Sequence, residues 1–128
     1  MIGAGGISRG AHLPNLKRNP RVDLVAVADI DPAAAQKAAG DFDIPNWYES
    51  YQELLDNPKV EAVTVTTWPT AHAAPVIAAA KAGKHILCEK PIAPTLDEAN
   101  EMVAAAEQAG VKFAMGYQHR FGTALPLV

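Results

Sequence analysis

The chain has 128 residues, 49% of them hydrophobic and 20% charged, which is the composition of one ordinary domain with a buried core. Its net charge of −3, without any basic cluster, gives no electrostatic reason to expect nucleic acid or an anionic membrane as a partner. A single cysteine excludes an intramolecular disulfide, and the lack of grouped metal ligands and long apolar runs predicts a cytoplasmic protein with no metal site and no membrane span.

The first half of the chain alternates helical stretches with β-branched runs. A glycine-rich turn leads into a helix that Gly10 and Pro14 weaken. Asp31 and Pro32 form the N-cap and first turn of a second helix, which Gly40 is placed to end. We predict helices over residues 7–18, 32–39 and 50–56, and strands over residues 22–31 and 45–49.

The second half repeats this alternation. Pro75 falls in the first turn of a helix that Gly83 stops. Thr95 and Glu98 have the spacing of a capping box, and Gly110 follows the helix that they begin. We predict strands over residues 60–68, 84–89 and 111–117, and helices over residues 72–83 and 95–108. Strands alternating with helices predict an α/β fold built on a parallel sheet.

The glycine-rich turn at the start of the chain has the spacing of a dinucleotide fingerprint. Gly3, Gly5 and Ser8 form G-x-G-x-x-S, in which the third position is usually Gly or Ala. The first glycine allows a tight turn, and the second lets backbone N–H groups approach a pyrophosphate at the positive end of a helix. By itself this motif is equally consistent with an ordinary structural turn.

Asp29 lies 21 residues after Ser8, at the end of the second predicted strand. A carboxylate there can accept hydrogen bonds from both adenosine ribose hydroxyls and repels the extra phosphate of NADP, which favours NAD as the cofactor. The alternative is a solvated charge at a strand end. Asp31 could share the role of Asp29, although its position favours a helix cap.

Glu89, Lys90 and Pro91 follow the predicted strand at residues 84–89, at the sheet edge where doubly wound folds bind ligands. A lysine there can donate a proton or a hydrogen bond to a substrate oxygen while hydride moves to or from nicotinamide. The alternative is a solvated Lys-Glu pair of small energetic consequence. Cys88, just before this motif, is expected to be a small buried hydrophobic residue.

Taken together, these stretches resemble the N-terminal cofactor-binding domain of the Gfo/Idh/MocA family of oxidoreductases. The matching blocks, in family order, are GAGGISRGAHLPNL, VAVADIDP, SYQELLDNP, AAKAGKHILCEKPIAPTLDEA and GYQHRF. The resemblance implies a Rossmann-like doubly wound parallel sheet, NAD as cofactor with NADP less favoured, and a catalytic role for Lys90. We expect residues 1–121 to form the dinucleotide-binding domain, with residues 122–128 as a tail of unassigned structure.

The resemblance also implies the other cofactor-side residues. TTWPTAH is similar to the family loop on the nicotinamide side, where Trp68 could stack or simply pack, and His72 could contact the cofactor or simply begin a helix. Arg120 is expected to be structural. The expected cofactor-binding residues are Gly3, Gly5, Gly6, Ile7, Ser8, Asp29, Thr66, Thr67, Trp68, Pro69, His72, Glu89, Gln118 and His119, the last two on the substrate side.

The sequence departs from the family pattern at both ends. Family members begin with a full first strand, of which Met1 and Ile2 are the counterpart here, and they continue into an α+β domain that supplies further catalytic groups. We therefore expect a fragment with its first strand largely missing, an apolar slot in its sheet and reduced stability.

The resemblance to this family favours one function over two alternatives. The first is the NAD(P)-binding domain of an oxidoreductase acting on a sugar, a polyol or a related hydroxylated substrate, inactive by itself. A small-molecule substrate is then expected only if a C-terminal domain completes the site. The alternatives are a stand-alone nucleotide-binding or interaction module without catalysis, and a degenerate fragment.

Overall fold

The computed structural model describes residues 1–118; the tail predicted for residues 122–128 lies outside them. The strands are β1 (Ala26–Ala28), β2 (Asn46–Tyr48), β3 (Ala62–Val65), β4 (His85–Cys88) and β5 (Phe113–Met115). The α-helices are α1 (Leu13–Arg18), α2 (Pro32–Phe42), α3 (Tyr51–Asp56), α4 (Ala73–Lys81) and α5 (Leu96–Ala109). A π-helical segment, Ser8–His12, precedes α1, and a short 3-10 helix, Pro69–Ala71, precedes α4.

All of the strand pairs are parallel. β1 pairs with β2, while β4 lies between β3 and β5. Ile2 joins the two groups, because it forms parallel bridges to Ala28 of β1 and to Val65 of β3. The spatial order is therefore β2, β1, Ile2, β3, β4, β5, which changes direction at the N-terminal stretch as in a doubly wound sheet.

Helices cover both faces of this sheet, as the continuous apolar runs of the strands require. Met1 and Val27 pack with Leu13 and the alanines of α2 on one face. On the other face, Val65 packs with residues of α3, α4 and α5, among them the fully buried Leu54, Val76 and Met102. This arrangement confirms the prediction of an α/β Rossmann-like fold.

The N-terminal stretch, Met1–Gly3, takes the central strand position between β1 and β3. Ile2 N donates to Thr64 O at 2.8 Å and Ile2 O accepts from Thr66 N at 2.8 Å, while Met1 O accepts from Ala28 N at 2.9 Å. The α-amino group of Met1 is buried and donates to Ala26 O at 2.8 Å. Burial lowers the pKa of this amino group from its usual 8.0 to about 5, because desolvation penalises the charged form.

A cleft of about 750 Å³ continues the line of this short strand toward the opposite edge of the sheet. It lies between β1 and β3, and its lining includes Val25, Ala26, Ala62, Val63 and Thr64. Ala26 and Thr64 border the end of the cleft that is nearest to Met1. Their carbonyls point into the space between β1 and β3, where they accept hydrogen bonds from Met1 N and Ile2 N. The expected slot in the sheet is present, at the edge away from the candidate ligand residues.

Several element boundaries differ from those predicted. The second helix does not end at Gly40 but continues to Phe42, because Asp43 adopts a left-handed conformation (φ 53°) and Ile44 N donates back to Ala39 O at 2.9 Å. The helix predicted at residues 7–18 is continuous from residue 6, and a π-helical turn, Ser8–His12, lies directly before α1 and Pro14. β1 covers three residues of the run 22–31, the same three that pair with β2.

Candidate dinucleotide site

The glycine turn follows Ile2 at the carboxyl edge of the sheet. Gly3 has a φ of +96°, and a Cβ at this position would lie 2.9 Å from the side-chain oxygen of Thr66. Thr66 Oγ1 in turn donates to Gly3 O at 3.0 Å. Position 3 therefore requires glycine for both its backbone conformation and its close contact with the loop after β3.

The next two glycines face open space. A Cβ on Gly5 or Gly6 would meet no atom within 4 Å. Helical backbone begins at residue 6, and Arg9 N donates to Gly5 O at 3.0 Å, so the preceding amides belong to the first turn of a helix. Exposed amides at a helix start, without side chains to cover them, fit the approach of a pyrophosphate. Ile7, also in this turn, is 43% exposed.

Ser8, the third fingerprint position, is fully buried. Its hydroxyl oxygen is the one buried side-chain polar atom without a hydrogen-bond partner among residues 1–118. Its small size allows the helix to pack closely, as the fingerprint requires, and a cofactor-binding role of Ser8 stays a prediction.

Asp29 directly follows β1 and uses both of its carboxylate oxygens locally. Oδ2 accepts from Ala4 N at 2.7 Å, and Oδ1 accepts from Asp31 N at 2.9 Å. A carboxylate offers about four lone-pair positions, so acceptor capacity remains for two ribose hydroxyls. Asp31 caps α2 by accepting from Ala33 N at 3.0 Å, as its position before Pro32 predicted.

The loop after β3 carries four of the predicted residues. Thr66 is buried against the glycine turn, and Thr67 Oγ1 donates to Ala71 O at 3.0 Å, inside the loop. Trp68 is 82% exposed, so it packs little against this chain and leaves an aromatic face free at the ligand edge. Pro69 begins the 3-10 helix.

His72 is fully buried where the 3-10 helix joins α4. Its Nδ1 lies 3.0 Å from Pro91 O and 3.2 Å from Ile92 O, and its Nε2 lies 3.1 Å from Thr67 O. The sequence left open a cofactor contact or a helix start. The structure gives both ring nitrogens backbone partners, which join two loops, and a cofactor contact of His72 stays a prediction.

Glu89 and Lys90 follow β4. Glu89 is buried: its Oε1 lies 2.7 Å from His12 Nε2 and its Oε2 accepts from Lys90 N at 3.1 Å. A Cβ on Gly116 would come within 3.2 Å of Glu89 Oε1, so the end of β5 also packs against this carboxylate. Lys90 is exposed, and its peptide bond to Pro91 is cis. The motif is therefore a structured loop with a buried carboxylate and an exposed lysine rather than a solvated pair.

The remaining predicted residues lie nearby or outside the described part. Cys88 is fully buried, and burial together with the neighbouring Glu89 raises the pKa of its thiol to about 12, in accord with a small hydrophobic role. Gln118 follows β5 and is exposed. His119 and Arg120 lie outside the described residues. Within residues 1–118 no helix is long and apolar enough to cross a membrane.

His12 is the one site residue that the sequence reasoning missed. It lies one helical turn beyond the glycines and contacts Glu89, which is 77 residues away in the chain. A lone histidine on a helix carries no local signal for such a partner, and only the contact between the π-helical segment and the residue after β4 reveals it.

The glycine turn, the acidic residue after β1 and the ligand edge of a parallel sheet together define a dinucleotide-binding Rossmann domain. The chain belongs to the Gfo/Idh/MocA family, because the model of this oxidoreductase family with an NAD-binding Rossmann fold matches residues 1–117.

Sequence relatives agree with this family. The chain is 35% identical over 121 residues to the uncharacterised oxidoreductase YrbE of Bacillus subtilis. It is 32% identical over 121 residues to a myo-inositol 2-dehydrogenase of Thermotoga maritima. Each alignment covers 94% of this chain but only 35% and 36%, respectively, of the relative. The chain thus spans about a third of the length of these relatives.

Solved structures agree as well. A probable dehydrogenase from Thermotoga maritima matches with a TM-score of 0.89 at 32% identity, covering 95% of this chain and 36% of that one. The WlbA dehydrogenase of Bordetella pertussis, solved with NADH and UDP-GlcNAcA, matches with a TM-score of 0.87 at 29% identity over 94% and 34%. KijD10, a 3-ketoreductase from Actinomadura kijaniata solved with NADP and TDP-benzene, matches with a TM-score of 0.90 at 28% identity. This match covers 96% of this chain and 38% of that one.

Proposed function

We propose that this chain is the NAD-binding part of an oxidoreductase that acts on a sugar, a polyol or a related hydroxylated compound, and that it has no turnover alone. The observation that carries the proposal is the pairing of the open glycine turn with Asp29, held together by the bond from Ala4 N to Asp29 Oδ2. We take residues 1–121 as this domain and residues 122–128 as a tail.

The preference for NAD over NADP follows from the charge at the end of β1. Asp29 faces the position of the adenosine ribose, and the next two residues are Ile30 and Asp31, neither of which offers a positive charge for a 2′-phosphate. Among the structural relatives, WlbA was solved with NADH and KijD10 with NADP, so the family accommodates both. The negative charge of this particular site supports NAD.

The residues present fit the cofactor. The first-turn amides beside Gly5 and Gly6 would hold the pyrophosphate, and Asp29 the ribose. The loop after β3 would border the nicotinamide end, where the exposed Trp68 excludes water from one side. When bound, the nicotinamide accepts or donates hydride. We assign the cofactor edge to Thr66, Thr67, Trp68, Pro69, His72 and Glu89, and the substrate side to Gln118 and His119.

Lys90 is the proposed catalytic residue. Its ammonium is exposed at the ligand edge, while its backbone is held by Glu89 Oε2. Lys90 Nζ would donate a proton or hydrogen bond to a substrate oxygen, or accept the proton of a substrate hydroxyl. Turnover also requires a second wall that holds substrate against the cofactor, and we propose that this wall comes from outside residues 1–118.

Calorimetric titration of the 128-residue chain with NADH and NADPH tests the cofactor assignment. We expect tighter binding of NADH, and loss of that preference in Asp29→Ala. Asp23→Ala is the matched control, because Asp23 lies at the opposite edge of the sheet, beside the cleft. Equal binding of both cofactors that Asp29→Ala leaves unchanged contradicts the ribose role. Binding of neither cofactor by a folded chain contradicts the function, and polyol oxidation by the chain alone contradicts the claim of no turnover.

A further inference from the structure

Lys90 lies between two neighbours that histidines hold in place. Before it, Glu89 contacts His12; after it, the carbonyls of Pro91 and Ile92 contact His72. The two histidines come from different parts of the chain, one from the helix after the glycine turn and the other from the start of α4. An exposed side chain therefore projects from a backbone that is anchored on both sides.

The first anchor links the glycine-turn helix to the Lys90 amide. His12 Nε2 lies 2.7 Å from Glu89 Oε1, and their side chains are only 17% and 8% exposed. Because a carboxylate oxygen accepts, the ring nitrogen donates. The other oxygen, Glu89 Oε2, accepts from Lys90 N at 3.1 Å. A continuous series of contacts thus runs from the helix through one imidazole and one carboxylate to Lys90.

The second anchor links the loop after β4 to the loop after β3. His72 is fully buried, with Nδ1 at 3.0 Å from Pro91 O and Nε2 at 3.1 Å from Thr67 O. Carbonyl oxygens only accept and a neutral imidazole has one N–H, so the ring donates a hydrogen bond on one side only and packs against the carbonyl on the other. The ring occupies the space between the two loops and fixes their separation.

We propose that His12 and His72 are a pair of positioning residues for Lys90. Each joins Lys90 to an element that the dinucleotide would touch: His12 to the pyrophosphate helix, and His72 to the nicotinamide-side loop. The role of Lys90 itself rests on the proposed function, whereas the anchoring of its backbone does not. Binding of the cofactor at either element is then transmitted to Lys90 through one imidazole ring.

The unliganded chain tests the anchoring by NMR. In His12→Ala, we expect hydrogen exchange of the Lys90 amide to rise about tenfold, because the carboxylate that it bonds to loses its own partner. His12→Gln, whose amide nitrogen can take the place of Nε2, should restore slow exchange. His85→Ala, an exposed histidine at the opposite end of β4, is the control. Unchanged Lys90 exchange in His12→Ala, while Val65 and Ile86 stay protected, overturns the first anchor.

His72 needs a variant that keeps the core filled. His72→Leu removes both polar contacts and retains volume, and His72→Asn keeps a donor near the position of Nδ1. We expect the order parameter of the Ile92 amide to fall from about 0.85 to below about 0.6 in the leucine variant and to recover in the asparagine variant. Equal order parameters in all three chains overturn the second anchor.

Ligand affinities then separate positioning from general stability. We expect His12→Ala and His72→Leu to lower the affinity for NADH about fivefold relative to ADP-ribose, which lacks the nicotinamide. A purely structural defect lowers both affinities alike. In the background of Lys90→Ala the same changes should have no further effect on the ratio, since the residue that they position is gone.

Failure of the positioning proposal and failure of the proposed function give different results. Additive losses in the double variants overturn positioning through Lys90. A Lys90→Ala chain with an unaltered NADH to ADP-ribose ratio overturns the transmission of cofactor binding to Lys90 and leaves its proposed role toward a substrate oxygen in place. If the wild-type chain binds neither ligand, the proposed function fails, and the exchange and order-parameter measurements still decide the anchoring.

Discussion

The backbone N–H of Ala4 donates to Asp29 Oδ2 at 2.7 Å, across 25 residues of sequence. This bond joins the glycine turn to the end of β1. The carboxylate that is proposed to hold the ribose therefore also holds the loop that is proposed to hold the pyrophosphate. Any change at Asp29 affects the stability of the turn as well as the ligand.

Asp29→Ala should lower the free energy of unfolding by about 1.5–3 kcal/mol, because two backbone amides lose a charged acceptor. Asp29→Asn keeps one acceptor oxygen and should lose about half as much. Urea denaturation measures both, and Asp23→Ala should stay within about 0.5 kcal/mol of wild type. A stable Asp29→Ala chain would show that the glycine turn holds its shape unaided.

Gly3→Ala should destabilise the chain by more than about 1–2 kcal/mol, because it adds a contact with Thr66 to the cost of a positive φ. Gly10→Ala is the matched control: the same methyl group meets no atom there, and alanine favours helix, so a gain of up to about 1 kcal/mol is expected. Thermal unfolding compares the two. Equal melting temperatures would argue against a strained, crowded turn.

Ser8→Ala should raise the free energy of unfolding by about 1 kcal/mol, because it removes a buried hydroxyl that has no partner. We expect NADH affinity not to change, since Ser8 is fully buried and alanine keeps the small side chain that the fingerprint position requires. Ser50→Ala provides the contrast: Ser50 caps α3 by accepting from Gln52 N, and its loss should cost about 0.5–2 kcal/mol. A drop in NADH affinity in Ser8→Ala would assign the hydroxyl to the ligand.

Stability should fall as the pH is lowered from 8 to 5. The Met1 amino group has a pKa of about 5 in the folded chain and 8.0 when exposed, so between these values the unfolded chain binds a proton that the folded chain does not. The loss amounts to about 4 kcal/mol over this window. Urea titrations at several pH values should show it, and an N-acetylated chain should lack this contribution. Identical pH profiles for the two chains would contradict the burial of the amine.

An extension of about five β-branched residues before Met1 should fill the cleft and raise the free energy of unfolding by about 3 kcal/mol or more. It would lie between Val25 and Ala62, which line the cleft from the β1 side and the β3 side. An extension of equal length made of Gly, Ser and Asp is the control, since it buries little apolar surface. Equal stability of the two extended chains would show that neither enters the cleft.

Local signals in the sequence predicted much of the fold. Asp31, Thr95 and Gly110 mark helix ends where the structure has them, because each acts through its own neighbours. Gly40 was misleading because Asp43 tolerates the left-handed conformation and lets the helix run three residues further. The strands are shorter than their apolar runs because backbone pairing with a neighbouring strand, and not hydrophobicity, decides where each strand begins and ends.

The candidate site could be predicted only in part, because some of its contacts join segments that lie far apart in the sequence. Gly3 and Asp29 stand at a spacing that the dinucleotide fold dictates, so their neighbourhood could be read from the chain. The contact between His12 and Glu89, and the contacts of His72 with Pro91 and Ile92, join segments whose distance in sequence hides their proximity. No periodicity or spacing rule connects them, and packing alone brings them together.

Among residues 1–118, Ile2 is the one residue that bridges both β1 and β3. The sheet is therefore closed at the edge that carries Gly3, Asp29 and Lys90 and open at the edge that carries the cleft. The bonds that join β1 to β3 and the proposed ligand residues thus lie at the same end of the strands. Substitutions around the cleft can tune how firmly the domain holds together while the arrangement of the ligand edge stays as it is.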